Sequence, residues 1–547
     1  MNKKNTTLVA VALLVYATQG FADTNTDLQM TKPPQPTSSD SKALPQFQPP
    51  SALEPVAGGV TVKLNQLEIS GNKSLSTETL LAQLNPVAGR SFDMAGLTAI
   101  ANTLSNYYHA AGYPFAQVFL PPQDLQNGVL HITVIEGSYG KVAAVGNDKL
   151  LSGAQRFLAY GLQRGDAIQN QKLERTLLIL DDQPGMTIRP IIRPGSAQGE
   201  ADLLVDVKRE SYVSGEVGVD NTGASSTGEY RAHAALFLNS AVLYGDKLSL
   251  NSMYTDEDMW LGAVDYEAPL GASGLRGRLG YAHTSYQLGG EFAALGAQGV
   301  ADITTARLSY PLLRSQANNL LISLSLQHKS LQDDYRASNI VRNKRSDGAT
   351  LGLQFDKRDA VWGGGVTYGS LSVSGGQLRL DGESELSDAV TAGTNGSFGK
   401  VNLDIARIQK IAGGLNAYGR FSGQWANKNL DSSEKFSLGG YYGVRAYPLG
   451  EGVGDSGWFT QLELRYTLGA VTPFILYDYG KSTANTDPWD SNSAASRTIA
   501  GAGFGARLQY VQWSVDGSLA WRSQGGRSEA ENVDKNPRFF LMLGRKF

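Results

Sequence analysis

The chain contains no cysteine among its 547 residues. This absence excludes a disulfide-stabilised scaffold, a thiolate metal site and a cysteine nucleophile. Charged residues are also sparse at 18%, and the formal net charge of −3 gives no basis for a nucleic-acid partner. Beyond the N-terminus, no apolar run reaches the roughly 20 residues that a membrane-spanning helix needs. The composition therefore argues against a bundle of membrane helices.

The N-terminus has the pattern of a secretory signal peptide. Lys3 and Lys4 precede a short apolar core at 8–17, and the small-x-small sequence Gly-Phe-Ala follows at 20–22. A membrane anchor is the alternative, but the apolar core is shorter than a membrane span requires. The sequence predicts a signal peptide over residues 1–22 and an exported mature chain.

Residues 23–60 predict an extended linker, because they are rich in Pro, Ser, Thr and Gln and poor in apolar residues. A short helix at 23–30 is compatible with the sequence. Two small α/β units follow, at 61–136 and 137–209, each with the order strand, helix, helix, strand, strand. Tandem units of this kind usually form a binding array, and an exposed strand edge can take up an extended polypeptide. The alternative is that they only space the rest of the chain from something else.

The expected elements of the two units follow from apolar periodicity and from capping residues. In the first unit they are a strand over 62–69, helices beginning after Ser76 and Asp93, and strands Phe115–Leu120 and Val129–Ile135. In the second unit they are a strand over Lys141–Val145, helices over Leu151–Gly161 and Leu173–Asp181, and strands Thr187–Ile192 and Ala201–Val207.

From residue 210 to 547 the helical periodicity disappears and apolar residues alternate with polar ones. In 459–468, for example, leucine and tyrosine occupy one face and Gln461, Glu463 and Arg465 the other. A soluble sandwich could show this alternation too, but the length, the charged faces and the tryptophans near strand ends are typical of a membrane barrel. The predicted fold is mainly β: a transmembrane barrel of sixteen strands, about 10 residues each, after two α/β units.

Catalytic patterns are missing. The five histidines lack metal-ligand spacing, and neither a His-Glu-x-x-His nor a Gly-x-Ser-x-Gly motif occurs. Gly480-Lys481-Ser482 matches only the end of a phosphate-binding loop, and the glycines of 501–505 lack the last glycine of a dinucleotide fingerprint. Both are interpreted as barrel glycines. We therefore expect a chain that is not an enzyme and that needs no cofactor and no metal.

The most informative segment is Gly439–Pro448, in which three glycines surround one arginine between two amphipathic strands. Glycines allow tight turns and close backbone approach. The pattern predicts that Arg445 is presented on a compact loop rather than within a strand.

Three separated motifs resemble one known family, the two-partner-secretion transporters (TpsB) that export haemolysins and filamentous haemagglutinins. Residues 112–137 resemble the first polypeptide-transport-associated (POTRA) domain of that family. Asp220–Gly223 with Thr227-Gly228 is similar to its barrel entry, and Gly439–Pro448 with Gly454-Asp455 is similar to its lumen loop. The resemblance covers the chain from about residue 61 to Phe547. It implies two POTRA domains, at 61–136 and 137–209, and a lumen loop near 439–457.

The resemblance also implies a site. The loop motif is Gly443, Val444, Arg445, Ala446 and Tyr447, in which Ala446 replaces the more usual glycine. Asp478 matches the acidic residue that pairs with the arginine in the family. The alternatives are that Arg445 contacts only solvent or another acid of the lumen, such as Glu463. In a water-filled lumen the pair would add roughly 1 kcal/mol or less, so its value would lie in fixing the loop.

The implied function is secretion of one large TpsA-type partner, a β-helical exoprotein of the haemolysin or adhesin kind, across the Gram-negative outer membrane. The POTRA domains would hold its unfolded N-terminal part in the periplasm, and no nucleotide would be hydrolysed. Further implied partners are outer-membrane lipid and the barrel-assembly machinery, which would read the last strand ending in Phe547; the transporter would be a monomer. The alternatives are a barrel-assembly or insertion factor and a passive pore.

Overall fold

The computed structural model describes residues 35–36, 54, 58, 60–125, 127–289, 293–294 and 296–547. The predicted signal peptide and the predicted short helix at 23–30 lie outside the described residues, as does most of the predicted linker. Among the helices within those ranges, none has the length and apolar character needed to cross a membrane.

The first α/β unit packs two helices against a three-stranded sheet of order β2-β5-β4. Its elements are β1 (Val62–Lys63), β2 (Gln66–Ser70), α1 (Thr77–Leu81), β3 (Ser91–Phe92), α2 (Met94–Ala110), β4 (Gln117–Phe119) and β5 (Val129–Ile135). Ser76 and Asp93 cap the two helices with side-chain oxygens, as predicted. The strand expected over 62–69 is divided, because the chain leaves β3 after Leu64 and joins β5 from Gln66.

The second α/β unit repeats the order with a sheet β6-β8-β7. Its elements are β6 (Ser138–Val145), α3 (Leu151–Gly161), α4 (Asn170–Asp181), β7 (Met186–Pro194) and β8 (Glu200–Arg209). Phe157 and Leu158 on α3, with Leu173 and Leu177 on α4, are buried in one apolar core over the sheet. The first unit has a core of its own, whereas the core of the second unit also includes Tyr244 from the chain that follows it.

The remaining strands close into a barrel of sixteen antiparallel strands, which confirms the predicted fold. They are β9 (Val213–Asp220), β10 (Arg231–Asn239), β11 (Lys247–Thr255), β12 (Trp260–Pro269), β13 (Arg276–Gln287), β14 (Ala297–Arg314), β15 (Asn318–Tyr335), β16 (Ile340–Asp359), β17 (Gly365–Leu380), β18 (Gly396–Ala412), β19 (Leu415–Ala426), β20 (Ser456–Tyr466), β21 (Val471–Thr483), β22 (Ser496–Tyr510), β23 (Trp513–Gln524) and β24 (Arg538–Lys546). One more helix, α5 (Gly382–Ala389), lies between β17 and β18.

The alternation of side chains separates a lipid-facing surface from the lumen. On β20, Leu462 and Leu464 are exposed on the outer surface, whereas Gln461 and Glu463 are buried inside. The expectation of about 10 residues per strand is wrong for β14 to β18, which have 16 to 20. On β16 the outward apolar run covers only 349–355, so the rest of the strand extends beyond the apolar band.

The barrel closes between its last and first strands over a short register. Five residue pairs join β24 to β9, from Met542–Asp220 to Lys546–Glu216. Phe547 continues the ladder through two backbone hydrogen bonds with Gly215, each 3.0 Å long. At the other end, the Asn221 side chain accepts from the Leu541 N–H at 2.7 Å, so it substitutes for a backbone partner.

The second α/β unit is docked on the barrel turns at the end where β9 begins. Arg175 on α4 donates to the Pro311 carbonyl at 2.7 Å and lies over the Tyr310 ring. Asp182 forms a two-point ion pair with Arg314, with both bonds 2.7 Å long. Tyr244, from the turn between β10 and β11, packs into the core of the unit. These contacts together fix the unit at the mouth of the barrel.

Candidate functional site

The segment between β19 and β20, residues 427–455, folds into the barrel and is called the lumen loop. Its tip is compact because backbone groups approach closely. Gly440 has a φ of 102°, which favours glycine. A Cβ atom on Gly443 would lie 2.1 Å from the Leu438 carbonyl oxygen, which accepts a bond from the Val444 N–H. The glycines noted in the sequence therefore build the turn that carries Arg445.

Arg445 is 1% exposed and bonds to the barrel wall through its backbone and its side chain. Its Nε and Nη2 donate to the two Asp478 carboxylate oxygens at 2.8 and 2.7 Å, and its backbone N–H donates to the same group at 3.1 Å. Its Nη1 donates to Glu463. The two acids considered for Arg445 are therefore both its partners, Asp478 from β21 and Glu463 from β20.

The network continues beyond these three residues. Glu463 also accepts from Arg465 at 2.6 Å and from Arg507 at 2.8 and 3.1 Å. Arg507 in turn bonds to Asp516 at 2.7 Å. Three guanidinium groups therefore face three carboxylates, so the cluster is neutral without any ligand. Sequence reasoning missed Arg507 and Asp516, which alternation places on the inward face but does not bring together.

The expectation of a water-filled surrounding for Arg445 is wrong. Val444, Ala446 and Tyr447 are fully buried against apolar side chains of the wall that include Phe474 and Ile499. These groups exclude water from the ion pairs, because the tip packs directly against the wall formed by β20 to β23. At a buried site, removing one partner of an ion pair lowers the free energy of unfolding by about 3–5 kcal/mol, which is well above the roughly 1 kcal/mol that an exposed pair contributes.

Ala446 fits the position at which the loop motif of the family usually has glycine. Its backbone lies outside the left-handed region, so alanine is not strained there. A Cβ atom on Gly501 of β22 would lie only 2.3 Å from the Ala446 methyl. The Ala446 methyl group therefore occupies the space that Gly501 leaves open.

A second cluster, the shoulder cluster, holds the start of the lumen loop; it comprises Lys329, Lys344, Lys400, Asp431 and Glu434. Lys329 and Lys400 bond to Glu434 at 2.6 and 2.8 Å, and Lys344 bonds to Asp431 at 3.0 Å. The lysines come from β15, β16 and β18, and all five side chains are at most 12% exposed. No sequence motif marks them, since the lysines meet Asp431 and Glu434 only because the lumen loop folds back against the wall.

The end of the lumen loop is fixed as well. Glu451 is fully buried and accepts bonds from Arg497, from the Ser528 hydroxyl at 2.7 Å and from the Glu529 N–H at 2.9 Å. The loop is therefore anchored at its start, its tip and its end. Within the described ranges, no group of three or more His, Cys, Asp or Glu residues is suited to hold a metal ion.

The strand edges of the α/β units form the second candidate site. In the second unit, Pro190 and Pro194 remove N–H groups from the edge strand β7. The Asp181 carboxyl group lies beside the Ile188 backbone of the same strand, and burial raises its pKa. These features leave β7 with little capacity to pair with another chain.

The opposite edge of the second unit, β6, is capped by a side chain. Gln155 on α3 accepts from the Ala144 N–H at 2.8 Å and donates to the Val142 carbonyl at 3.3 Å. Tyr139 on the same strand is bonded through its backbone to residues 165–166. Both edges of this unit are therefore occupied.

The first unit differs. The Gln66 N–H on β2 donates to Gly128 at the start of β5, so alternation directs the backbone groups of Leu67 and Ile69 away from the sheet. Within the described part of the chain, no hydrogen bond is found for these outward N–H and C=O groups. The other edge, β4, has three residues and runs into Pro121. The edge of β2 is thus the more open of the two.

Comparisons with known proteins agree with this architecture. The profile of the haemolysin secretion/activation proteins ShlB/FhaC/HecB matches residues 199–508, and that of the ShlB-type POTRA domain matches residues 62–137. The heme/hemopexin transporter protein HuxB of Haemophilus influenzae (strain 86-028NP) is 27% identical over 499 residues, which cover 88% of this chain and 87% of HuxB. The outer membrane transporter CdiB of Escherichia coli O6:K15:H31 is 23% identical, with 84% and 79% covered.

Two solved structures share the fold. CdiB from Escherichia coli has a TM-score of 0.76 at 19% identity, covering 97% of this chain and 99% of that one. CdiB from Acinetobacter baumannii has a TM-score of 0.66 at 18% identity, with 98% of both chains covered. Since the family profile matches more than half of the sequence, the chain belongs to the ShlB/FhaC/HecB family of haemolysin secretion/activation proteins, the two-partner-secretion transporters of the outer membrane.

Proposed function

We propose that this transporter secretes one large partner exoprotein, β-helical and of the haemolysin or adhesin kind. The periplasmic α/β units would recognise its unfolded N-terminal part, and the barrel would pass it outward. The observation that carries this proposal is the open edge of β2. An unpaired strand edge binds an extended chain through backbone hydrogen bonds, with little demand on its sequence.

The first α/β unit would recognise the partner protein, and the second would hold the first at a fixed place relative to the barrel. Both edges of the second unit are occupied, by Gln155 on one side and by Asp181 and two prolines on the other. The same unit is held on the barrel by Arg175 and Asp182. It would therefore fix the distance between the captured segment and the lumen.

The lumen loop would act as the gate, with Arg445 paired to Asp478 in the closed state. Passage of a polypeptide requires an alternative state of the tip that lies only a few kcal/mol above the closed one. The glycines of the tip favour movement there, whereas the shoulder cluster favours a fixed start of the loop. Contacts with the passing chain would have to replace the buried ion pairs.

Binding, threading and folding outside the cell would drive transport, without nucleotide hydrolysis and without catalysis by the chain itself. The nucleotide-binding motifs of the sequence are only partial matches, and the periplasm supplies no nucleotide. We further propose that the transporter is a monomer without a nucleic-acid partner. The barrel-assembly machinery would recognise its last strand, in which Phe547 extends β24 along β9.

The deciding experiment deletes the gene and compares secreted, periplasmic and outer-membrane proteins with those of the parent strain. Loss of one large protein from the medium is the expected result, and a plasmid-borne copy should restore it. Loss of many outer-membrane proteins would instead indicate a barrel-insertion factor. An unchanged secretome would leave a passive pore and refute secretion.

A further inference from the structure

A charged patch lies on the outer surface of the barrel, above the apolar band on β15, β16 and β17. It is called the arginine patch and comprises His328, Arg345, Asp347 and Arg379. Arg345 and Asp347 share the face of β16 that carries Leu351, which faces lipid. Their partners in register are Arg379 on β17 and His328 on β15. All four side chains therefore point away from the lumen.

The charges of the patch do not balance. Arg345 and Arg379 are direct partners across two neighbouring strands, a position in which like charges destabilise a sheet. The Asp347 carboxylate accepts from His328 at 2.7 Å with one oxygen and from Arg379 at 3.1 Å with the other. The one carboxylate of the patch is thus occupied by Arg379 and His328, and no carboxylate of the described residues forms an ion pair with Arg345. Arg345 can therefore bind a further anion.

The position of the patch relative to the membrane determines which anions it can contact. The apolar run on β16 ends at Ala349, and Arg345 lies four residues further from the periplasmic end. At about 3.4 Å per residue and a tilt near 45°, that places Arg345 roughly 10 Å beyond the apolar edge. Headgroups add about 5–8 Å on each side of the hydrocarbon core. Asp347 and His328, about 5 Å beyond the apolar edge, therefore lie in the headgroup layer, and the long side chains of Arg345 and Arg379 reach it from its outer boundary. The layer belongs to the outer leaflet, because the docked α/β unit marks the opposite end.

We propose that the arginine patch binds the phosphate groups of the glycolipids that form the outer leaflet. Arginine presents a planar fork that bonds phosphate oxygens at two points, and two forks on adjacent strands form a cradle for one phosphate. Bound phosphate removes the repulsion between Arg345 and Arg379. The site goes beyond secretion, because it lies on the lipid-facing surface of the barrel and not in the lumen through which a polypeptide would pass.

The test measures lipid binding to the full-length chain purified in detergent, by native mass spectrometry. Three probes are compared: diphosphorylated lipid A, the same lipid after removal of its phosphates, and inorganic phosphate. We expect the phosphorylated lipid to bind at least tenfold more tightly than the dephosphorylated one. The double variant Arg345→Gln/Arg379→Gln should lose this difference, and Arg345→Lys/Arg379→Lys should keep part of it.

The matched control is Arg545→Gln, because Arg545 also points outward but lies at the periplasmic end, over the Trp513 ring. It should bind the phosphorylated lipid like the parent. Heat-modifiable electrophoretic mobility verifies that each barrel is folded. Equal binding of both lipids, or an unchanged preference in the double glutamine variant, would overturn the proposal. If inorganic phosphate binds as tightly as the lipid, the patch is a general anion site and the glycolipid assignment is wrong.

Discussion

Arg445 joins the lumen loop to two different strands, so its loss affects two acids unequally. Glu463 keeps Arg465 and Arg507 as partners, whereas Asp478 loses the guanidinium group that donates two hydrogen bonds to it. The consequence of a substitution is therefore a buried, uncompensated Asp478.

We predict that Arg445→Ala assembles into the outer membrane normally but secretes at least tenfold less partner protein. The strands of the wall keep their backbone pairing, while the tip loses its fixed position. Quantitative immunoblots of medium and membranes measure both properties, and Arg445→Lys should give an intermediate level because lysine bonds at one point only. Parental secretion by Arg445→Ala would refute the role of the tip.

A second prediction concerns the coupling between Arg445 and Asp478. Asp478→Asn should reduce secretion like Arg445→Ala, and the double variant should be no worse than either single one. In thermal unfolding followed by electrophoretic mobility, the pair should show a coupling free energy of about 0.5–3 kcal/mol. Strict additivity would show that the two side chains act independently, and the partner of Arg445 would then be Glu463.

Among the strands, the two α/β units are similar in order but different at their edges. The edge strands β2 and β7 each carry a half-buried isoleucine whose backbone N–H is directed outward, Ile69 and Ile192. Only β7 already contains prolines. This contrast provides a matched pair of substitutions with similar loss of packing.

We predict that Ile69→Pro weakens binding of the unfolded N-terminal segment of the partner at least tenfold, because it removes an N–H from the open edge. Ile192→Pro should leave binding unchanged, since β7 is already closed by prolines and Asp181. Fluorescence anisotropy with a labelled segment measures the affinity, and circular dichroism verifies folding of both variants. Equal weakening by both substitutions would contradict the assignment of the edge.

The elements also show what the sequence could and could not predict. Helix starts at Ser76 and Asp93 follow from local capping, and the lipid-facing side of β20 follows from alternation. The shoulder cluster does not, because Lys329 and Lys400 meet Glu434 only through the path of the lumen loop, which apolar periodicity does not describe. The division of the strand at 62–69 was missed for the same reason: a change of partner leaves no mark on apolar periodicity.

For the complete chain, the arrangement that matters is the docking of the second α/β unit on the barrel mouth. Arg175 and Asp182 contact the turn region between β14 and β15, while the open edge of β2 belongs to the unit before it. If capture and passage are coupled by distance, loosening the dock should impair secretion without affecting either the edge or the lumen loop.

We predict that Arg175→Ala/Asp182→Ala lowers secretion several-fold while partner binding and barrel folding stay at the parental level. The first substitution removes the hydrogen bond of Arg175 to the Pro311 carbonyl and its contact with the Tyr310 ring. The second removes the Asp182 carboxylate, which Arg314 bonds at two points. Limited proteolysis should cut the junction at 209–213 faster, which reports the loosened dock directly. The control is Arg164→Ala, an exposed arginine of the same unit. Faster cleavage together with parental secretion would show that the unit need not be held in place for transport.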